Sequence, residues 1–395
     1  MNVILFDDPG YRANLLPFTF TRPVAGIRTG ILTIAEKWEK HLHASVSFST
    51  ADYLQEKFPL VRSSDNLWIN GAFCPTENLV NQITLLQPGE GLIRENKVIA
   101  LRTPEDELPE VMPGKMTVYG APVTVIDQVW KIFLSNGEQI KADFNLITSN
   151  RTSAGVQDQY TKQYSPENIF LEEGVYIRAA VLNAETGPIY LGKNSIVQEG
   201  AVIRGPFGMG EGSHLNMGAK MRGNVSIGHH SKVGGEVSNA VIFSNSNKAH
   251  DGFLGCSVLG EWCNLGADTN TSNLKNNYDH VKLWNYDKKG FINTGLMFCG
   301  LMMGDHSKSG INTMFNTGTT VGVCANVFGG GFPRNFIPSF AWGGIRGFTT
   351  FQLSKAFETA ARVMERRSVA FDETDKAILE EVFNKESEHR TWEKK

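Results

Sequence analysis

The sequence has no CxxC pair. Its five cysteines, Cys74, Cys256, Cys263, Cys299 and Cys324, are scattered and odd in number, which argues against a disulfide framework and points to a reducing cytoplasm. No apolar run approaches the roughly 18 residues of a membrane-spanning helix, and no charged segment followed by an apolar one opens the chain, so neither export nor membrane insertion is expected. The net charge is only −3, which removes the basic signature of a nucleic-acid binder and requires any anionic ligand to be met locally. Also missing are GxGxxG and GxxxxGK followed by Ser or Thr, so spacing alone supplies no backbone nest for a nucleotide. A 41% apolar and 20% charged composition over 395 residues describes a globular protein too long for one core, and two domains plus an appendage are expected.

What the chain does have is a repeat of six. From Leu191 it reads LGKNSI, VQEGAV, IRGPFG, MGEGSH, LNMGAK, MRGNVS, IGHHSK, VGGEVS, each block opened by an aliphatic residue or Met. Small residues follow four places later in most blocks, at Ser195, Ala201, Ser213, Ala219 and Ser231. A helix would space its apolar residues by three and four, and an open half-buried strand would alternate without punctuation. Six with glycine near the corners is the mark of a parallel β-helix, whose coils stack at the strand spacing of roughly 4.8 Å. The opening residues should face the axis and the small ones should pack in the corners.

Before the repeat, Val3–Phe6 reads as a strand running into Asp7-Asp8-Pro9-Gly10, and Gly30–Trp38 has helical spacing. Runs at 46–48, 67–70, 91–94, 98–101 and 144–148 read as further strands, so an α/β nucleotide-binding layout is expected. Arg12, Arg22 and Arg28 either meet nucleotide phosphates through paired hydrogen bonds or are solvated surface arginines. Asp7 and Asp8 are either metal or ribose contacts or a turn after a strand. The segment 275–295 interrupts the repeat and is expected to project as a loop, shielding a ligand or touching a neighbouring subunit. After Gly331 the period breaks, which reads as the end of the solenoid. Beyond Thr350, Phe351, Leu353, Phe357, Ala360, Val363 and Met364 share a helical face, and a second helix is expected after Asp372 as N-cap. The expected domains are 1–165, 166–345 and 346–395: an α/β nucleotidyltransferase-like domain, a left-handed parallel β-helix and C-terminal helices.

The stretch SNKAHDGFLG followed by SVLGEWCNLGADTNTSN resembles the acetyltransferase part of the bifunctional enzymes that make UDP-N-acetylglucosamine, over about 191–331. The order of an α/β segment before a hexapeptide prism resembles the same enzymes, as does 303–313 for their later coils. The resemblance implies a catalytic base at His250, substrate contacts at Glu236, Phe253 and Asn264, and acetyl-CoA contacts at Ala267 and Asn273. Ser238 stands where the family has a phosphate-binding Lys, Leu274 replaces a Tyr, and Asp251-Gly252 replaces Leu-Thr, so Arg222, Lys220 or Arg204 is expected to supply the missing positive charge. The resemblance further implies a homotrimer with its site between subunits, Mg²⁺ for nucleotidyl transfer, and a sugar 1-phosphate, a nucleoside triphosphate and acetyl-CoA as substrates.

The chemistry of His250 stands beside the resemblance. An amine attacking a thioester must lose a proton, and an imidazole titrating near neutrality is suited to take it, for roughly 10²–10⁴ in rate. A backbone N–H on a coil edge is suited to the developing oxyanion, and Lys308, Arg334 or Arg346 to the phosphates of coenzyme A. The expected function is acetylation of a sugar phosphate, with glucosamine 1-phosphate the acceptor that the resemblance implies, coupled to transfer of a nucleotidyl group from UTP. In one alternative a single activity is kept and the other domain serves binding or assembly. In a remoter one, His214, His229, His230 and His250 hold zinc for hydration chemistry.

Overall fold

The computed structural model describes residues 2–105, 108 and 114–393. Strands β1 (Asn2–Phe6), β2 (Val46–Ser49), β3 (Asn66–Asn70), β4 (Glu90–Arg94), β5 (Lys97–Thr103) and β6 (Lys115–Val118) form one sheet in the order β2-β1-β3-β5-β4-β6. β1 is parallel to both neighbours, and its residues Val3–Phe6 are buried because both faces of the sheet are covered. Helices α1 (Pro9–Asn14), α2 (Ile34–Leu42) and α3 (Glu77–Thr84) connect these strands. α2 starts at a capping box in which Thr33 and Glu36 satisfy each other's backbone N–H groups. Two more helices follow, α4 (Val129–Leu134) and α5 (Asn136–Thr148). The run 144–148, expected as a strand, is therefore the end of α5. Ile140, Asp143 and Ile147 are its buried stripe, a spacing of three and four that the short apolar run Phe144–Ile147 conceals.

From Lys162 the chain winds into a triangular column of parallel strands. Its three flanks are called A, B and C here, represented by Lys220–Arg222, Val225–Ile227 and Lys232–Val233. Every residue that opens a block of six from Leu191 to Val233 is at most 2% exposed, and the small residues named above are fully buried. The corner serines also join successive coils: Ser213 Oγ donates to Gly228 O at 2.7 Å, and Ser246 Oγ donates to Gly260 O at 2.7 Å. The column continues past the break in period after Gly331. Phe336–Ile337 pairs with Thr320–Val321, and Ala341–Gly344 turns back on Gly347–Thr350 as a closing hairpin. The repeat had to lapse there because the last coil is closed by prolines and aromatics rather than by hexads.

The 275–295 interruption is a hairpin, Lys282–Asn285 with Gly290–Asn293, and it does not project. Val281 and Leu283 join the core shared by the first sheet's helices and flank B residues Val241, Phe243 and Val258, whereas Tyr286 packs with Phe20, Phe340 and Val382. The N-terminal unit thus covers flank B. Helices α6 (Leu353–Glu365) and α7 (Glu373–Lys385) lie against the column, α7 starting at an N-cap from Asp372, which accepts from Asp375 N. Lys57 pairs with Asp375 at 2.5 Å, tying α7 to the first unit. A buried pair, Arg22 with Asp305, joins the first unit to the column. Among the described residues, no helix is long and apolar enough to cross a membrane.

Candidate active site

His250 sits on the corner between flanks C and A. The chain leaves flank C at Asn247–Lys248, turns through 249–252, and enters flank A at Phe253. Gly252 makes the turn with φ +109°, and a Cβ there would lie 2.2 Å from Thr269 O, so only glycine fits. The imidazole is exposed and makes no hydrogen bond among the described residues, which leaves both nitrogens to a ligand.

Beside it lies a cleft of about 630 Å³ between flank C and α6, lined by His250, Asn264, Ala267, Lys308, Trp262 and, from the helix side, Val363, Arg366 and Arg367. Lys232 brings the lysines and arginines of the lining to four, and among the described residues no carboxylate lines the cleft. Arg367 donates to Asn247 Oδ1 at 3.1 Å, and burial together with the charge of Arg366 lowers its pKa. Lys308 donates to His306 O at 2.8 Å, and burial lowers its pKa too. Lys308 and Arg367 are partly withdrawn from water, which an anion would offset, whereas Lys232 and Arg366 are exposed. The lining of the cleft suits an anionic ligand.

The expected residues divide by place. His250, Asn264, Ala267 and Lys308 share this cleft. Glu236 and Phe253 are register neighbours on flank A around the same corner, and Arg222 donates to Glu236 at 2.8 Å. Asn273 lies away from the cleft, its amide 3.6 Å from Cys256 Sγ. Arg334 and Arg346 line a different pocket of about 500 Å³ at the end of the column, with Trp284, Phe336 and Trp392. His229 accepts from Glu211 N at 3.1 Å through Nδ1, and its ring lies 6.5 Å from that of His230. No group of three or more His, Cys, Asp or Glu suited to a metal occurs among the described residues. Reasoning from the sequence missed Lys232, Arg366 and Arg367, because a polar side chain at an outward strand position or a helix end looks the same whether it meets water or a cleft.

A second crevice of about 560 Å³ opens at the carboxyl ends of β1 and β2, lined by Asp7, Asp8, Asp52, Arg62, Asn96 and Lys97. β1 lies between two parallel neighbours reached by connections in opposite directions, the place where ligands of open α/β sheets bind. Arg12, Arg22 and Arg28 do not line it. Arg12 pairs with Asp7 at 2.7 Å and donates to Tyr53 Oη at 3.1 Å, Arg22 is held by Asp305, and Arg28 donates to Ile31 O. Burial raises the pKa of Asp7 against the pull of Arg12. Asp8 caps α1, accepting from Gly10 N at 3.0 Å, and pairs with Lys97 at 2.8 Å.

Residues 3–152 match the sugar nucleotidyl transferase family. The chain is 36% identical over 87 residues to the Bifunctional protein GlmU of Methanocaldococcus jannaschii, covering 22% of this chain and 21% of that protein. It is 33% identical over 95 residues to the Bifunctional sugar-1-phosphate nucleotidylyltransferase/acetyltransferase of Sulfurisphaera tokodaii, covering 24% of this chain and 23% of that one. The chain thus spans about a fifth of the length of the curated relatives it matches. The crystal structure of the polySia specific acetyltransferase NeuO aligns over 47% of this chain and 87% of its own, at 13% identity and a TM-score of 0.27, too slight a likeness to argue from. By name, the matched family and the Sulfurisphaera tokodaii relative are transferases.

Proposed function

We propose that this protein is a transferase with two sites: an acetyl transfer centre at His250 and a nucleotidyl transfer centre at the β1–β2 crevice. The observation that carries the first is a cleft lined by two lysines and two arginines with, among the described residues, no carboxylate and an imidazole without a hydrogen bond at its mouth. Acetyl-CoA fits that balance, its phosphates meeting Arg366, Arg367 and Lys232 and its thioester reaching the corner. The acceptor, a sugar 1-phosphate with a free amine, lies over Phe253 on flank A. The exposed Arg222–Glu236 pair is weakly held, so Arg222 can turn to the phosphate and Glu236 to sugar hydroxyls at little cost. His250 takes the proton of the attacking amine, the N–C bond forms, the C–S bond breaks, and the thiolate leaves as coenzyme A after regaining a proton. Asn264, Ala267 and Lys308 lie along the donor's path.

At the crevice, a nucleoside triphosphate is met by Lys97 and Arg62. Mg²⁺ needs only one or two carboxylates besides phosphate oxygens, and Asp8 and Asp52 are suited to hold it there, where it would screen phosphate charge. UTP and N-acetylglucosamine 1-phosphate are the proposed pair, giving a nucleotide sugar and pyrophosphate, in the cytoplasm. The exposed side chains of Met217 and Ile311 supply apolar surface near the flank C–A edge, which supports a homotrimer, checked by analytical ultracentrifugation.

Two assays test the reading. Thiol release from acetyl-CoA is followed with a panel of amino-sugar 1-phosphates, and pyrophosphate release with UTP, Mg²⁺ and N-acetylglucosamine 1-phosphate. His250→Ala is expected to lower the first at least 100-fold and to leave the second unchanged. An unchanged thiol rate removes the base assignment. Absence of pyrophosphate leaves the single-activity reading, which the structural engagement of Arg12, Arg22 and Arg28 favours, with the first unit as a binding or assembly module.

A further inference from the structure

The inward-facing residues of flank C stack as Ile177, Val197, Leu215, Val233, Lys248, with Leu265 following one coil later. A lysine thus occupies an aliphatic position in the column's interior, 2% exposed, directly under the turn that carries His250. Burying an ammonium is unfavourable, and the neighbouring coils show that an aliphatic side chain fits the architecture. The column itself therefore gives no reason for a lysine at this one level.

The geometry of the corner gives one. In three other coils the corner closes by a backbone bond, from Ala201 N to Gln198 O, Ala219 N to Asn216 O, and Thr269 N to Gly266 O, while at 310–313 Thr313 Oγ1 donates to Gly310 O. At the His250 corner side chains meet the carbonyls as well, and Asp251 O also accepts from Asp268 N of the next coil at 3.1 Å. Asn216 Nδ2 donates to Ala249 O at 2.7 Å, and Lys248 Nζ donates to His250 O at 2.5 Å and to Asp251 O at 3.3 Å. The imidazole has no hydrogen bond of its own among the described residues, so what the fold fixes is the backbone that carries it, held by Lys248 together with Asp268 N.

We propose that Lys248 is a positioning residue for His250, its buried ammonium clamping the His250 and Asp251 carbonyls so that the imidazole projects toward the cleft. This rests on the reading of His250 as the base of acetyl transfer. A cation with several hydrogens serves two carbonyls at once, which no aliphatic residue at this position does.

The test compares Lys248→Met, Lys248→Leu and His250→Ala with the parent protein in thiol release, thermal unfolding and amide hydrogen exchange. For both Lys248 variants the thermal midpoint should be unchanged or higher, kcat should fall at least tenfold, and KM for acetyl-CoA and acceptor should stay within twofold. Amides of 249–252 should exchange at least tenfold faster while those of Ile196–Val197, three coils away, do not change. A parental kcat in a folded Lys248 variant, alongside an inactive His250→Ala, overturns the proposal and leaves the base reading standing. A fully active His250→Ala sinks the base reading instead, and unchanged exchange at 249–252 then overturns the clamp as well. Failure of both Lys248 variants to fold assigns the lysine to the architecture of the column and overturns the proposal.

Discussion

Replacing Asp305 by alanine is expected to destabilise the protein by about 3–4 kcal/mol, and the size follows from what the carboxylate holds. Its Oδ2 takes the Arg22 guanidinium and the Thr21 hydroxyl, the latter at 2.7 Å, and its Oδ1 accepts from Glu261 N at 2.8 Å. Both ionic partners are buried, Arg22 at 6% and Asp305 at 3% exposure. Breaking such a pair from one side typically costs about 3–5 kcal/mol, because the remaining charge is stranded. Here Glu261 stays 3.6 Å from Arg22, which favours the lower end, and the orphaned Glu261 N–H adds about 1 kcal/mol. Burial works to lower the Arg22 pKa, and Asp305 and Glu261 overcome it in the parent protein; with Asp305 gone the guanidinium stays charged because arginine is not deprotonated in proteins. Removing that charge as well, in Arg22→Met with Asp305→Ala, should return the loss to about 1–2 kcal/mol. Urea unfolding followed by tryptophan emission, with equal m-values required for the comparison, measures both. A loss below about 1 kcal/mol for Asp305→Ala, or a double variant no better than the single, would refute the reasoning.

Neutralising both Arg366 and Arg367 to glutamine should raise KM for acetyl-CoA about tenfold, or about 1.4 kcal/mol, and flatten its dependence on salt, while kcat changes little; an unchanged KM removes α6 from the donor site. Gly252→Ala should cost roughly 2 kcal/mol in thermal or urea unfolding and lower acetyl transfer, since Thr269 O must move for the methyl to fit; a neutral result would mean the turn is not rigid. Glu386 is 3% exposed, and burial pushes its pKa to about 8 despite its bond to Ser339. The folded state therefore holds a proton that the unfolded state releases near 4.5, so this group's stabilisation is full below pH 4.5 and is lost as pH rises through about 8. The ceiling is about 5 kcal/mol, and Glu386→Gln should lose markedly less stability than the parent between pH 5 and 8.5 in calorimetry.

The column was legible because its repeat is short and its interior admits few residue types. Each of Leu191, Val197, Ile203 and Met209 declares its direction within six residues. The motif around His250 singled that residue out, and it lies at the edge of a cleft; Asp372 was legible through the local chemistry of capping. Contacts between distant segments were not. Arg22 looks like any loop arginine until Asp305, 283 residues later, is folded against it. Arg366 and Arg367 follow the apolar stripe of α6, and only the docking of that helix on flank C turns them toward His250. The 144–148 run misled for the opposite reason, since a short apolar stretch fits either period until its buried partners are known.

The hairpin excursion leaves the register of the column untouched. Val258 pairs with Met302 and Asn264 with Lys308, although 44 residues separate each pair where neighbouring coils need 18. A solenoid of this kind has a grafting point at that edge. The two ends of the excursion meet at the Leu274–Phe298 bridge, so the length of chain between them answers to the first unit it packs on and not to the ladder of the column.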